Sequence, residues 1–306
     1  MKRCFLNERL KNIFLKNRDM RFIKMTGGLG NQMFIYAFYM RMKKHYSNTR
    51  IDLSDMVHYK AHNGYEMHRV FNLPPIEFRI NQPLKKVIEF LFFKKIYERK
   101  QVPSSLVPYD KKYFWPLLYF KGFYQSERFF ADMADDIRKA FTFNPSLSNR
   151  KTKEMSEQID HDENAVSIHV RRGDYLEPKY WKTTGCVCQL PYYLNAIAEM
   201  NKRISQPSYY VFSDDIAWVK ENLPLPKAFF IDWNKGTESW QDMMLMSRCR
   251  HHIICNSTFS WWGAWLNPRE NKTVIMPERW FRHCETPDIC PDKWIKVPIN
   301  QPDSIQ

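Results

Sequence analysis

The sequence predicts an α/β protein made of two units, each built around a largely parallel sheet. Three observations carry this. The chain has 306 residues, about two domains at roughly 100–200 residues each. Short apolar strands alternate with helices along most of it, the pattern of sheets covered on both faces. Glycine is scarce, with nine in all, yet Gly27, Gly28, Gly30 and Gly173 stand where apolar strands run out.

The elements follow in order. Residues 21–26 read as a strand, Gly27 and Gly28 as a turn, 29–45 as a helix and 49–53 as the next strand, which is the opening of an α/β domain. Residues 101–118, with Pro103, Pro108 and Pro116, read as irregular chain, and 126–140 as a helix. The polar stretch 144–163 is helical or linker-like and takes the domain boundary, giving units of 21–160 and 161–306. The second unit alternates strand 165–170, helix 191–203, strand 208–213, helix 215–222, strand 228–232, helix 238–249, strand 251–255, helix 260–266 and strand 273–276. Sheets of this kind bind ligands beyond the carboxyl ends of their strands.

Composition narrows the partners. Hydrophobic residues at 44% and charged residues at 26% describe a chain that buries a core. The balance 47 − 33 = +14 favours anionic partners: nucleotides, nucleic acid or an acidic membrane face. No apolar run approaches the ~20 residues of a membrane span, and the N-terminus lacks the apolar core of a secretory signal. Seven scattered cysteines do not form a disulfide framework or a paired metal motif. The expectation is a soluble, reduced, cytoplasmic protein with free thiols. Segments 1–20 and 84–100 are basic with apolar residues at helical spacing. Each suits either a helix packed on the body or a peripheral contact with an anionic membrane surface.

Four blocks carry candidate chemistry. In Gly27-Gly28-Leu29-Gly30-Asn31-Gln32, Met33 stands where a dinucleotide fingerprint has its third glycine. Asn31 and Gln32 at a helix start beside Gly30 are placed to present amides to a polar ligand. In His169-Val170-Arg171-Arg172-Gly173-Asp174-Tyr175, strand alternation puts His169 and Arg171 on one side and Arg172 on the other. Arginine suits bidentate phosphate recognition. Asp174 either orients that guanidinium or is a catalytic carboxylate, and a salt-bridged structural corner would use the same residues. In Phe212-Ser213-Asp214-Asp215, the acids either contact a nucleotide or cap the following helix. In Cys255-Asn256-Ser257-Thr258-Phe259-Ser260-Trp261-Trp262-Gly263-Ala264-Trp265, a hydroxyl-rich loop opens a helix, and such an N-terminus either binds an anion or is merely capped. Asp242 lies one helix upstream and can accept hydrogen bonds from a base or ribose.

Together these blocks resemble the bacterial α-1,2-fucosyltransferases of glycosyltransferase family eleven: GGLGNQMFIYAF, HVRRGDY, FSDD with Trp218, and CNSTFSWWGAW occur in order across 21–280. The resemblance implies a GT-B architecture, two Rossmann-like domains with the active site in the cleft between them. It implies GDP-L-fucose as donor and a galactose-terminated oligosaccharide or lipopolysaccharide as acceptor, fucosylated at its 2-hydroxyl without a metal. Arg171 would hold the β-phosphate. His169 and Asp242 would meet guanine or ribose. Arg172, Ser213 and Asp214 would lie at the donor site, with Asn256, Ser257, Thr258, Phe259 and Ser260 around the phosphates. Gly30, Asn31 and Gln32 would face the cleft, and Asp174 is the expected acceptor-activating base. Similar donor sites also serve α-1,6 transfer and protein O-fucosylation. The rivals are an NAD(P)-dependent enzyme using the Gly27–Gly30 turn with Asp52, and a basic nucleic-acid-binding protein, which has no recognition motif in its favour.

Overall fold

The computed structural model describes residues 21–86, apart from 58, 60, 75, 77, 78, 81, 82 and 84, and residues 119–300. The 1–20 extension, most of the 84–100 segment and the 101–118 stretch lie outside the described residues.

Two parallel sheets organise the chain. β1 (Arg21–Lys24) pairs with β2 (Thr49–Asp52) and with β3 (Tyr119–Phe120), giving the order β2-β1-β3. The second sheet has six strands: β4 (Ala165–Val170), β5 (Ser208–Ser213), β6 (Ala228–Ile231), β7 (His251–Ile253), β8 (Val274–Pro277) and β9 (Ile295–Val297). Their order is β6-β5-β4-β7-β8-β9, with every pair parallel. All six residues of central β4 are buried, so this strand reads as an apolar run without alternation.

The helices are α1 (Leu29–His45), α2 (Met67–Val70), α3 (Ala134–Ala140), α4 (Arg150–His161), α5 (Leu190–Arg203), α6 (Ile216–Asn222), α7 (Trp240–Arg248) and α8 (Thr258–Leu266). α4 falls inside the 144–163 stretch. It begins at Asn149, whose side chain accepts from the Thr152 N–H at 2.9 Å. It packs on the larger sheet, with Ile159 buried beside Ala165, Tyr210 and Phe212.

One apolar cluster joins the small sheet to the large one. α1 lies against α8, with Phe34 centred 4.5 Å from Trp261 and 4.9 Å from Trp262. Trp262 Nε1 donates to the Gly30 carbonyl at 2.9 Å. A β-carbon on Gly30 would stand 2.6 Å from the Thr258 backbone, so only glycine lets the helices approach this closely. α8 is buried from Ser260 to Leu266, which is why it is apolar all round.

The helix expected over 126–140 is broken. Turns of 3-10 helix occupy Glu127–Phe129 and Ala131–Met133 before α3 begins. The adjacent Phe129 and Phe130 are both fully buried. Phe129 packs edge-on to Phe38 and Tyr124, and Phe130 stacks on Trp262. A continuous helix would turn neighbouring residues about 100° apart. β3 and β9 lie beyond the strands read from the sequence, because two or three residues are too short to show a period of two.

Candidate functional site

A cavity of about 810 Å³ opens between the two sheets, at the carboxyl ends of β4, β5 and β6 and the start of α8. Its size is that of a pocket for a small organic ligand.

The large-sheet wall is built from strand ends. β4 delivers His169 and Arg171 to the cavity. His169 is buried, and its Nδ1 lies 3.2 Å from Cys255 Sγ. Burial, with Arg171 nearby, lowers the imidazole pKa to about 3, so the ring is neutral. Burial also raises the Cys255 thiol to about 12 and keeps it protonated. Arg171 places both Nε and an Nη 2.9 Å from Asp174 Oδ1. Burial is the largest single influence and opposes its charge, but the Asp174 hydrogen bond together with the nearby Tyr175, Asp174 and Asp214 outweighs it and raises the pKa further. Guanidinium donors not used by Asp174 are available to a ligand.

Ser213 and Asp214 border the cavity at the end of β5. Asp214 Oδ1 accepts the Arg172 N–H at 2.8 Å, while Asp215 caps α6 by accepting from the Trp218 N–H. Of the two roles left open in the sequence, capping thus falls to Asp215, while Asp214 borders the cavity. Asp242 stands in the wall near Asn234, which donates to it at 2.8 Å. Burial pushes the Asp242 carboxyl up to about 7 against that hydrogen bond.

Asn256, Ser257, Thr258 and Phe259 also line the cavity. Asn256 spends its Nδ2 on the carbonyls of Thr184 and Trp280, at 2.9 and 3.0 Å. Ser257 precedes α8 and makes no side-chain capping bond. The first N–H groups of this nine-residue helix therefore present positive dipole to the cavity.

Two expected donor residues lie elsewhere. Arg172 is not in the cavity wall; it pairs with Asp215 at 3.0 Å and lies 4.1 Å over the Trp218 ring. Strand alternation turns it away, as the sequence pattern indicated. Ser260 is buried behind the wall, donating to the Ser257 carbonyl.

The small-sheet wall contains Gly30 and Asn31. Gly30 serves close packing, and Asn31 Oδ1 accepts from Gln125 Nε2 at 2.8 Å. Gln32 does not face the cleft. It is fully buried, donates to the carbonyls of Gly27 and Gly64 and accepts the Glu66 N–H at 2.9 Å, tying the turn after β1 to the 61–66 turn. Asp52 is likewise committed. Ser54, the Tyr119 hydroxyl and Lys85 surround it, and it lies outside the cavity wall, which removes the ribose-binding acid of the NAD(P) rival.

His62, Asn63, Glu66, Phe123, Gln125, Tyr180, Asn234 and Lys235 are among the further residues of the walls. Sequence reasoning missed them. The available signal was His62-Asn63-Gly64, a turn in which His62 and Asn63 both take positive φ, at 52° and 64°. Two hydrogen bonds cross between the walls: Asn63 Nδ2 to the Gly236 carbonyl at 2.9 Å, and Arg69 to the Thr237 carbonyl at 2.6 Å.

The sequence profile of glycosyl transferase family 11 matches residues 10–297. The chain belongs to this family. It is therefore a glycosyltransferase of the fucosyltransferase-like kind, and its two parallel α/β units with a cavity between them have the architecture that the resemblance implied. It is 32% identical over 292 residues to an alpha-1,2-colitosyltransferase of Escherichia coli, covering 90% of this chain and 97% of that protein. It is 27% identical to the Escherichia coli O-antigen biosynthesis glycosyltransferase WbnK, covering 89% and 99%. A galactoside alpha-(1,2)-fucosyltransferase 1 of Ateles belzebuth is 31% identical over 160 residues, 49% of this chain and 43% of the relative. Among solved structures, NodZ alpha-1,6-fucosyltransferase co-crystallized with GDP superposes with a TM-score of 0.49 at 13% identity, covering 84% of this chain and 95% of that one. No helix among the described residues is long and apolar enough to cross a membrane.

Proposed function

We propose that this glycosyltransferase moves L-fucose, or the related deoxy sugar colitose, from its GDP-linked donor to the 2-hydroxyl of a terminal β-galactoside in an oligosaccharide or lipopolysaccharide. The anomeric centre inverts and no metal takes part. The observation that carries this is the convergence of Arg171 and the open N-terminus of α8 on one wall of the cavity. Colitose enters as a donor sugar because of the alpha-1,2-colitosyltransferase relative.

Negative charge grows on the β-phosphate oxygen as the glycosidic bond breaks. Fixed donors aimed at developing charge favour that state over the bound ground state. Arg171 and the first N–H groups of α8 supply them. Asp174, with its Oδ1 held by Arg171, aligns the guanidinium. Neutral His169, Asp214 and Asp242 meet the nucleoside. Residues 21–160 furnish the acceptor wall and 161–306 the donor wall.

The test is incubation with GDP-fucose or GDP-colitose and lactose in the presence of a chelator, read by mass and linkage analysis. An α-1,2-linked product is expected from at least one donor. Transfer from neither, or a strict metal requirement, would overturn the proposal.

A further inference from the structure

We infer that the Glu66 carboxylate is the base that takes the proton of the acceptor hydroxyl. This rests on the transferase reading of the cavity.

Inversion fixes where a base must stand. The hydroxyl attacks from the side opposite the departing phosphate, so its proton leaves on the side away from the phosphate cradle. Five carboxylates border the cavity among the described residues: Glu66, Asp174, Asp214, Asp232 and Asp242. Four belong to the wall that carries Arg171 and the α8 N-terminus. Asp174 is held by Arg171, Asp214 by the Arg172 N–H and Asp242 by Asn234, and Asp232 is exposed beyond the end of β6. Glu66 alone comes from the small-sheet wall.

Its setting is that of a held, incompletely paired carboxylate. Glu66 is 2% exposed. Oε1 accepts from Arg69 at 2.5 Å and from Asn63 at 3.4 Å, whereas Oε2 has no hydrogen-bond partner among the described residues, and the residue lines the cavity. The backbone is anchored through its N–H to Gln32. Asn63 and Arg69, which grip Oε1, also reach the Gly236 and Thr237 carbonyls, so the carboxylate is positioned against the opposite wall.

Burial raises this carboxyl to about 7, outweighing the pull of Arg69. Of the charged and titratable groups, Arg69 contacts it directly, and His62 on its own segment, Lys235 on the loop across, and Arg171 and Asp174 at the end of β4 line the same cavity. A base with that pKa is half ionised near neutrality and accepts a proton more readily than an ordinary surface carboxylate. In the step, the acceptor oxygen bonds to the anomeric carbon. The bond from that carbon to the β-phosphate oxygen breaks with its electron pair leaving on GDP, and the hydroxyl proton passes to Glu66, which later returns it to water.

The experiment measures kcat for wild type and Glu66→Gln from about pH 5 to pH 9, with whichever of GDP-fucose and GDP-colitose the wild type uses. Wild-type kcat is expected to fall on the acid side with an apparent pKa near 7. Glu66→Gln is expected to lose about 10²-fold or more in kcat at pH 8, as removal of a general base does, and to lose the acid limb while GDP still raises its Tm. Glu66→Gly with added formate is expected to recover rate, which a purely structural residue would not do. Asp242→Asn is expected to keep the acid limb, separating the two raised carboxyls. If Glu66→Gln does not fold, Glu66→Asp is the second variant, expected to turn over slowly with the limb intact. Wild-type-like turnover by Glu66→Gln, or a wild-type kcat flat across this range, would overturn the assignment and leave the transferase reading standing. A wild type that transfers neither sugar to any galactoside would overturn the transferase reading instead.

Discussion

The two walls of the cavity are made differently. The large-sheet wall takes its functional groups from the ends of parallel strands and the first turn of α8. The small-sheet wall takes them from loops: His62, Asn63 and Glu66 before a one-turn helix, and Phe123 and Gln125 before a broken one. Strand ends in a six-stranded sheet hold a fixed charge in a fixed place, which suits the diphosphate of the proposed donor. Loops tolerate substitution with little effect on the fold, which suits a variable acceptor. Within one family the nucleotide end is therefore expected to stay constant while the sugar-accepting end diversifies.

Four substitutions test that contrast. The largest effect is expected from Arg171→Ala, which removes a charge-stabilising donor and should lower kcat by about 10²–10³. Steady-state kinetics showing near-normal turnover would strip the strand-end wall of its role. Next is Gly30→Ala, whose new β-carbon meets the Thr258 backbone at 2.6 Å. Overpacking of this kind costs about 1–3 kcal/mol, and thermal unfolding should show a clear drop in Tm together with weaker GDP binding, since the clash falls at the turn to which the proposed function assigns the phosphates.

Third is Asp242→Asn. Burial lifts the Asp242 carboxyl from its ordinary 3.8 to about 7 in the folded state. The native state therefore holds a proton that the unfolded chain has released, and stability falls as pH rises between about 4 and 7. Asp242→Asn should flatten that part of the stability–pH curve and stabilise the protein at pH 8 relative to wild type; an unchanged curve in urea titrations would refute the raised pKa. The smallest effect is expected from Arg172→Ala. The side chain lies over Trp218 and pairs with Asp215 outside the cavity, so about 0.5–1 kcal/mol of stability should be lost while GDP affinity stays close to wild type. A loss of affinity matching that of Arg171→Ala would erase the distinction between neighbouring arginines.

The same contrast governs what could be read in advance. β4 and β5 match the sequence reading at both ends, because buried parallel strands are apolar runs bounded by polar turns. Arg171 was legible because alternation along β4 separates it from Arg172. Asn256, Ser257 and Thr258 were legible because hydroxyls opened an apolar helix. Gln32 misled: a polar side chain at a helix start normally faces outward, but here two buried turns, at Gly27 and at 64–66, take up its amide. Ser260 misled because one turn into α8 places it inward. Glu66 gave no sign at all. A single acid in a mixed segment has no periodicity, and only the folding of the 61–66 turn against the 236–238 loop makes it part of a wall. The broken helix at 126–140 failed for a related reason, since the demand to bury both neighbours comes from elsewhere in the chain: Phe129 packs on Phe38 and Tyr124, and Phe130 on the tryptophans of α8.

The contact of α1 with α8 bears on how substrates enter. The helix whose N-terminus borders the cavity is also the piece packed between the two sheets, with Trp262 fastened to Gly30. Two lobes locked through a common aromatic hub cannot swing widely apart like a hinged clamshell without exposing that hub to water. Admission and exit then fall to the rim segments at 61–66 and 235–238, whose side chain–to–carbonyl latches are the cheapest links to undo.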